Sequence, residues 1–233
     1  MTTASITHTD IRLRGAVVRQ LEWDPEVNAS AIGVAARDGV VTLTGFIDTY
    51  TGKLAAERVV KGVRGVRAVA NDIVVRLVAG RTDTDIAGDA AQALKLRPML
   101  GDNVQVVVHN GHVTLTGSVE WLYQRDLGGS AVRHVRGVVG VFNHITVNPK
   151  AGLRDVHRRI GRALHYNADI DARHIDVVVT GDVVTLSGTV GSWMQRDAAE
   201  RAAGSAPGIR RVDNELLVEP AQPDELEPAD EIC

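Results

Sequence analysis

Apolar residues along this chain recur first at a helical spacing and then at alternate positions. Leu13, Val17 and Leu21 lie four residues apart, which predicts a helix with one buried face. Apolar residues alternate with others in the segment 32–36, and a period of two predicts a strand whose inner face is buried. The Asp-Gly pair at 38–39 predicts a two-residue hairpin turn, because such turns need residues that accept a positive φ.

The same order of elements occurs three times. A Val-Thr-Leu-Thr/Ser-Gly motif ends at Gly45, Gly117 and Gly188, which are 72 and then 71 residues apart. Other landmarks keep the same offsets, and we expect them to serve the backbone in turns, at helix ends and where strands begin. They are the turn residues Gly39 and Gly111, the helix-ending residues Gly65, Gly137 and Gly208, and the strand residues Asn71, Asn143 and Asn214.

These landmarks predict a repeated α-β-β-α-β unit, with a second helix and a final strand after the hairpin. The predicted fold class is α+β, with three tandem copies of a small domain, each a three-stranded mixed sheet with two helices. We expect the copies at residues 8–78, 83–148 and 152–219. A flexible N-terminus, 1–7, and an acidic, proline-containing tail, 220–233, complete the chain, and the tail's composition predicts disorder.

Composition argues against a protein that binds nucleic acid. There are 26 Lys and Arg and 29 Asp and Glu, so the formal net charge of −3 provides no global positive field. Aromatic residues make up 3% of the chain, which leaves few rings on which bases could stack. The single cysteine, Cys233, excludes a disulfide within the chain and a cysteine-based metal site.

Neither membrane insertion nor catalysis is indicated. No apolar run approaches the roughly 18 residues of a membrane-spanning helix, and residues 1–9 lack the features of a signal peptide. We therefore expect a cytoplasmic protein without a transmembrane segment. No nucleophile elbow, phosphate-binding loop or zinc-protease helix occurs, and the histidines do not converge in sequence. We expect no enzymatic activity, no cofactor and no metal site.

The repeated unit resembles the BON domain, a family named for osmotically inducible and nodulation proteins of bacteria. The resemblance rests on the glycine hairpin, the Val-x-Leu-x-Gly strand and an alanine-rich second helix. It also rests on a closing Gly-Val/Ile-x-x-Val-x-Asn motif at 65–71, 137–143 and 208–214. The family implies this α+β fold and association with phospholipid surfaces, often at the bacterial envelope. One subfamily is linked to potassium sensing, which implies ion binding as another option.

Comparison of the copies sorts the large apolar residues into core and surface positions. Two shared positions are expected in the core. Tyr50, Leu122 and Trp193 occupy the first. Trp23 and Tyr166 occupy the second, with Leu96 nearby after a one-residue slip. Trp121 and Tyr123 are expected at the surface. Their counterparts are Thr49 and Thr51 in the first copy and Ser192 and Met194 in the third. An exposed Trp and Tyr favour a membrane interface or a protein hot spot. The alternative is that they cover a neighbouring repeat.

The first helix of the third copy carries a second candidate surface. Arg154, Arg158 and Arg162 are four residues apart, so they form one basic stripe. An anionic lipid headgroup, a nucleic-acid backbone or the acidic tail of the same chain could bind there. An ordinary solvated helix face is the alternative.

These features favour a non-enzymatic module that associates peripherally with anionic phospholipid surfaces in a stress or envelope role. The proposed contact residues are Trp121, Tyr123, Met194, Arg154, Arg158 and Arg162. A protein-interaction scaffold of three modules is the first alternative, because weak contacts gain strength when they are linked. Small-ligand or potassium binding is the second. The oligomeric state does not follow from the sequence.

Overall fold

The Val-Thr-Leu strand lies at the centre of each sheet and has a partner on both sides. The computed structural model describes residues 8–76, 80–148, 160, 174–206 and 208–219. In the first unit, the hairpin strands pair antiparallel, and the last strand joins the central one in parallel. The elements of this unit are α1 (His8–Trp23), a short 3-10 helix (Ala29–Ala31), β1 (Ile32–Arg37), β2 (Val40–Ile47), α2 (Tyr50–Lys61) and β3 (Ala68–Val75).

Units two and three repeat this arrangement. Unit two contains α3 (Asp83–Lys95), a 3-10 helix (Pro98–Asn103), β4 (Val104–His109), β5 (His112–Val119), α4 (Leu122–Val132) and β6 (Gly140–Val147). Unit three contains helical Ile160, β7 (Ile175–Thr180), β8 (Val183–Val190), α5 (Trp193–Gly204), β9 (Arg211–Asn214) and β10 (Leu217–Val218). The predicted fold class, α+β with three copies of one small domain, is confirmed.

The last strand of unit three differs from the single strand that the sequence predicts, because it is split into β9 and β10. Both pieces pair in parallel with β8. The Arg196 side chain on α5 donates hydrogen bonds to the carbonyl oxygens of Asn214 and Leu216. Backbone oxygens at the break therefore bond to a side chain.

Units one and two each bury an apolar core between their two helices and the inner face of the sheet, and the described part of unit three buries one between Ile160, α5 and its sheet. In unit one, the predicted helical face of Leu13, Val17 and Leu21 is buried against Val41 and Leu43 of β2. Corresponding clusters fill units two and three, and Ile160 belongs to the third. Burial of each such side chain stabilises the fold by about 1.5–3 kcal/mol, so the alternating strands and the helical face depend on one another.

The glycine that ends the repeated strand motif is required by a close backbone approach. Gly45, Gly117 and Gly188 have φ values of +121°, +128° and +114°. A Cβ atom at Gly117 would lie 1.9 Å from the carbonyl oxygen of Asn103, and the other two glycines show the same approach. The recurrence of this glycine therefore has a backbone cause and does not by itself indicate a binding site.

The expectation that Trp23 and Leu96 occupy the core is wrong. Trp23 is 86% exposed and Leu96 is 68% exposed. Each lies two residues after the last buried residue of its helix, Leu21 in α1 and Leu94 in α3. Two residues turn a helix by about 200°, so these side chains point away from the core. Tyr166, at the same repeat position, lies outside the described residues.

The other shared apolar position joins the units. Tyr50, at the start of α2, packs against the core of unit two. Trp193, at the start of α5, packs against the core of unit one. Leu122, at the start of α4, is buried, and its Cδ2 would lie 2.7 Å from a Cβ at Gly204 of unit three. The contacts therefore run from unit one to two, from two to three and from three to one. Leu122 also belongs to the core of its own unit, whereas Tyr50 and Trp193 pack on the core of a neighbouring unit.

Candidate functional site

The recurring asparagines tie the second helix of each unit to its last strand. In unit two, the Asn143 amide donates to the Arg125 carbonyl oxygen at 2.7 Å and accepts from the Ile145 amide at 3.2 Å. Asn71 and Asn214 make the same pair of bonds. Positive φ values occur at the other recurring glycines, which are Gly39, Gly65, Gly111, Gly137 and Gly208. These residues build the scaffold that carries the candidate surfaces.

The structure brings Trp121 and Tyr123 together at the start of α4. Their ring centroids are 6.0 Å apart. Tyr123 is 39% exposed, whereas Trp121 is partly buried and its backbone N–H donates to Gln124 at 2.9 Å. The accessible area of this pair is therefore smaller than that of two fully exposed aromatic side chains.

Met194 lies on a different surface, beside unit one. It is 53% exposed, and its Cε would lie 3.3 Å from a Cβ at Gly62, where α2 ends. A nearby ion pair between Lys61 and Asp197, at 3.9 Å, joins the same two units. Met194 therefore extends a surface that belongs mainly to unit one. Arg154, Arg158 and Arg162 lie outside the described residues, as does the acidic tail.

The outward face of α1 carries a site that the sequence interpretation missed. Arg12, Ala16, Arg19 and Trp23 are spaced i, i+4, i+7 and i+11, which places them within about 60° of one another around the helix. Arg12, Arg19 and Trp23 are all exposed. We call these four residues the Trp23 stripe. The helical spacing was visible in the sequence, but the assignment of Trp23 to the core concealed it.

A groove runs beside the Trp23 stripe, between α1 and α2. Its apolar wall includes Pro25, Val59, Val63 and Met194, and Arg64 lines the same groove. We call this the unit-one groove. It combines an apolar surface with positive charge, which is the combination that a peripheral membrane contact uses.

Arg58 also lines the unit-one groove, but its charge is already compensated. It pairs with Glu26 at 2.9 Å and with Asp24 at 3.1 Å. The hydrogen bonds that Arg58 donates to Glu26 and Asp24 raise the pKa of Arg58 above its ordinary value, so the two carboxylates hold Arg58 in its charged form. The positive charge available to an external anion therefore comes mainly from Arg12, Arg19 and Arg64.

Unit two provides an internal comparison for the Trp23 stripe. Its buried helical residues correspond to those of α1, so Asp85, Asp89, Gln92 and Leu96 occupy the four stripe positions. Two acidic residues and a leucine thus stand where unit one has arginine, alanine and tryptophan. Asp89 pairs with Arg81, and Asp85 bonds to Thr82. Of α1 and α3, which are the first helices of units one and two, only α1 carries the basic aromatic stripe.

A cavity lined by charged residues lies between units two and three. The number of positive and negative side chains is equal, so the cavity has no excess charge with which to select an ion. Desolvation raises the pKa of Asp126, and repulsion from Glu200 adds to that rise. The charged residues lining the cavity are Arg125, Arg201, Arg211, Asp126, Asp197 and Glu200.

Exposed candidate surfaces and a charged cavity occur within the described residues. No group of three or more His, Cys, Asp or Glu residues there is placed to hold a metal ion. None of the helices in that part of the chain is long and apolar enough to cross a membrane. The Trp23 stripe presents an exposed indole together with guanidinium groups that can donate hydrogen bonds to an anion.

Two curated proteins are similar to parts of this chain. Osmotically-inducible protein Y of Escherichia coli (strain K12) is 31% identical over 126 residues, which are 51% of this chain and 63% of that protein. The outer membrane lipoprotein DolP of Haemophilus influenzae is 26% identical over 115 residues, 47% of this chain and 59% of that protein. The chain thus spans less than two thirds of either relative.

Solved structures and the family profile cover more of the chain. The C-terminal domain of CdsD, a structural protein of the type III secretion system of Chlamydia trachomatis, matches 90% of this chain and 98% of its own, with 14% identity and a TM-score of 0.26. A second CdsD structure matches with a TM-score of 0.27. The BON domain profile matches three times, at residues 9–76, 82–149 and 154–220. The chain belongs to the BON domain family.

Proposed function

We propose that this protein is a non-enzymatic module that associates peripherally with anionic phospholipid surfaces, in a stress or envelope-related role. The names of two relatives, an osmotically inducible protein and an outer membrane lipoprotein, support that setting. Membership of the BON family supports a binding module, and neither relative's name describes a reaction. The proposed contact surface is the Trp23 stripe with the adjoining unit-one groove.

The exposure of Trp23 carries this proposal. A tryptophan that is 86% exposed leaves most of a large apolar side chain in water. The indole is amphipathic, and tryptophan concentrates at membrane–water interfaces. Arg12 and Arg19, on the same stripe, add charges that are each worth about 1 kcal/mol near an anionic membrane surface. Neither contribution requires a change of fold.

Co-sedimentation with vesicles tests the proposal. Trp23→Ala should weaken binding to phosphatidylglycerol vesicles roughly 30- to 100-fold, for about 100 Å² of indole surface removed from water. The matched control is Leu96→Ala, at the same position of unit two, and it should bind like the wild-type chain. Equal binding by the wild type and Trp23→Ala would refute the Trp23 stripe as the contact surface.

A second pair of variants isolates the charge. Arg19→Gln should weaken vesicle binding and reduce its dependence on salt, because a charge that interacts with the membrane is lost. Gln92→Glu, at the matched position of α3, introduces a negative charge without touching the Trp23 stripe. Similar losses in both variants would indicate a general effect of net charge and would contradict a localised site.

Trp121 and Tyr123 remain a predicted contact surface that this experiment can separate from the first. If Trp121→Ala reduces binding and Trp23→Ala does not, the contact lies at the start of α4. The basic stripe of Arg154, Arg158 and Arg162 is tested in the same way, by Arg158→Glu. Our proposal expects the largest loss from Trp23→Ala.

The unit-one groove also favours the scaffold alternative, because its apolar wall could receive a side chain from a protein partner. A protein contact would depend on Val59 and Val63 in the apolar wall of the groove more than on Arg19. Stable self-association of the chain at high salt, lost in Val63→Asp, would support the scaffold. Binding to pure lipid vesicles supports the membrane proposal.

A further inference from the structure

The outward face of the unit-two sheet carries three histidines and, on its strands, no acidic residue. His109 on β4, His112 on β5 and His144 on β6 are all exposed and alternate with the inward-facing residues of their strands. Val107, 61% exposed, and Phe142, 53% exposed, lie on the same face. We call these five residues the histidine face.

The strand register places these side chains close together. His109 is directly opposite His112, and Phe142 is opposite Thr114 on the neighbouring strand. The imidazole of His112 stacks on the ring of Phe142, with centroids 5.8 Å apart and an angle of 16° between the planes. The stack brings a polar imidazole and an apolar ring into one patch of the sheet surface.

The other two units have a different surface at the corresponding positions. Acidic residues occupy outward positions there, with Asp72 in unit one and Asp176 and Asp213 in unit three. No histidine lies on the strands of those two sheets. The concentration of histidine is therefore not a requirement of the fold, because the same sheet forms without it.

Neighbouring acidic groups determine how far the net positive charge of the histidine face rises when its histidines are protonated. Asp83, at the start of α3, interacts electrostatically with His109 and accepts hydrogen bonds from the backbone N–H groups of Asn110 and Gly111. A proton on His109 is therefore largely compensated by Asp83. His112 faces His109 and Phe142, and His144 lies opposite Thr116. Protonation of His112 and His144 adds two charges to a surface whose strands carry no acid.

We propose that the histidine face is a second contact surface for anionic phospholipid headgroups and that it gains its positive charge on mild acidification. Imidazole is the side chain that changes charge between about pH 5 and pH 8. Imidazolium N–H groups donate to headgroup phosphate oxygens, and Phe142 and Val107 provide an apolar surface on the same face of the sheet. The inference rests on the lipid-binding function proposed above but uses a different unit.

The test is vesicle co-sedimentation of the full chain at about pH 7.5 and about pH 5.5. Phosphatidylglycerol vesicles serve as the probe, because their phosphodiester keeps its charge over this range, and phosphatidylcholine vesicles are the neutral control. The wild-type chain should bind phosphatidylglycerol roughly 30-fold more tightly at the lower pH, for two uncompensated charges. No gain at the lower pH would overturn the inference.

The triple variant His109→Gln, His112→Gln, His144→Gln should lose most of this gain and keep its binding at neutral pH. His134→Gln is the matched control, because His134 is exposed in unit two but lies after α4, away from the histidine face. A triple variant with an undiminished acid gain, or an equal loss in His134→Gln, would overturn the inference. Thermal unfolding of the variants confirms that they are folded.

Trp23→Ala separates this inference from the proposed contact at unit one. Loss of neutral-pH binding with a retained acid gain supports both surfaces. Unchanged neutral-pH binding in Trp23→Ala, together with loss of the acid gain in the triple variant, refutes the Trp23 stripe and supports the histidine face. Binding to neither kind of vesicle at the lower pH overturns the histidine face as a lipid contact.

Discussion

Replacement of Gly117 by alanine tests the close backbone approach inside the unit-two sheet. The alanine Cβ would lie 1.9 Å from the Asn103 carbonyl oxygen and 3.1 Å from the Val104 Cα. Because both neighbours are backbone atoms, a rotamer change cannot relieve the overlap. Gly117 is also held between Val104 and Ile145 in the sheet, so the strand can shift only by straining its ladders.

The expected cost follows from two separate effects. The φ of +128° costs an L-residue about 1–3 kcal/mol. Overpacking adds about 1–3 kcal/mol as the neighbouring backbone moves. We therefore expect Gly117→Ala to lose about 3 kcal/mol of unfolding free energy, which corresponds to a Tm lower by roughly 6–12 °C in a chain of this size.

Gly88→Ala is the matched control within the same unit. Gly88 lies inside α3, is exposed, and has no heavy atom within 4 Å of the position of an added Cβ. Alanine there should stabilise the helix by about 1 kcal/mol. Thermal unfolding followed by far-UV circular dichroism measures both variants. A Gly117→Ala chain as stable as the wild type, or one stabilised like Gly88→Ala, would refute the close-approach argument.

Two further predictions concern the contact between units and the dependence of stability on pH. Leu122→Ala removes a buried side chain that lies against Gly204 of unit three. We expect the free energy of unfolding, measured with denaturant, to fall by about 2–5 kcal/mol. An unchanged midpoint of denaturant unfolding would contradict the contact. Hydrogen bonds from the backbone N–H groups of Gly111 and Asn110 lower the pKa of Asp83 in the folded chain. The ionised carboxylate therefore stabilises the folded chain at pH values above the unfolded-state pKa of about 3.9. This stabilisation is lost as the pH falls through the lower pKa of the folded state. The difference in Tm between the wild type and Asp83→Asn should therefore shrink as the pH is lowered below about 4, and a pH-independent difference would contradict this cause.

The repeated unit could be predicted from sequence because the periods of its elements and its landmarks agree. Val41 and Leu43 alternate with threonines, and this alternation fixes which face of β2 is buried. The three closing glycines then set the register of the copies. A single copy would have left strand and helix boundaries open, whereas three copies in register leave little freedom.

The site was harder to predict because exposure depends on the phase of a helix. Comparison of the copies predicts a core position for Trp23, because the other copies carry a large apolar residue at or next to that position. The helical phase set by Leu13, Val17 and Leu21 points it outward, and the structure follows this phase. Large apolar residues at equivalent positions show that the positions are alike, but not that they are buried.

The partner of Tyr50 and Trp193 could not be predicted for a different reason. Every copy has both a core of its own and a neighbour with a similar core, so an apolar residue satisfies either environment equally. Only the three-dimensional arrangement shows that these side chains cross between units. The cytoplasmic location remains a prediction, and cell fractionation measures it.

Because the contacts run in a cycle, each of the three copies contacts both of the others. In a linear array of repeats, the first and last copies have one neighbour each, and they need polar outer faces that serve as caps. Here the contacts through Tyr50, Leu122 and Trp193 return from the third copy to the first, so the array has no ends. Three copies share three junctions instead of two, and loss of any one copy removes two of them. Each copy is an interior copy, and none is free to specialise as a cap.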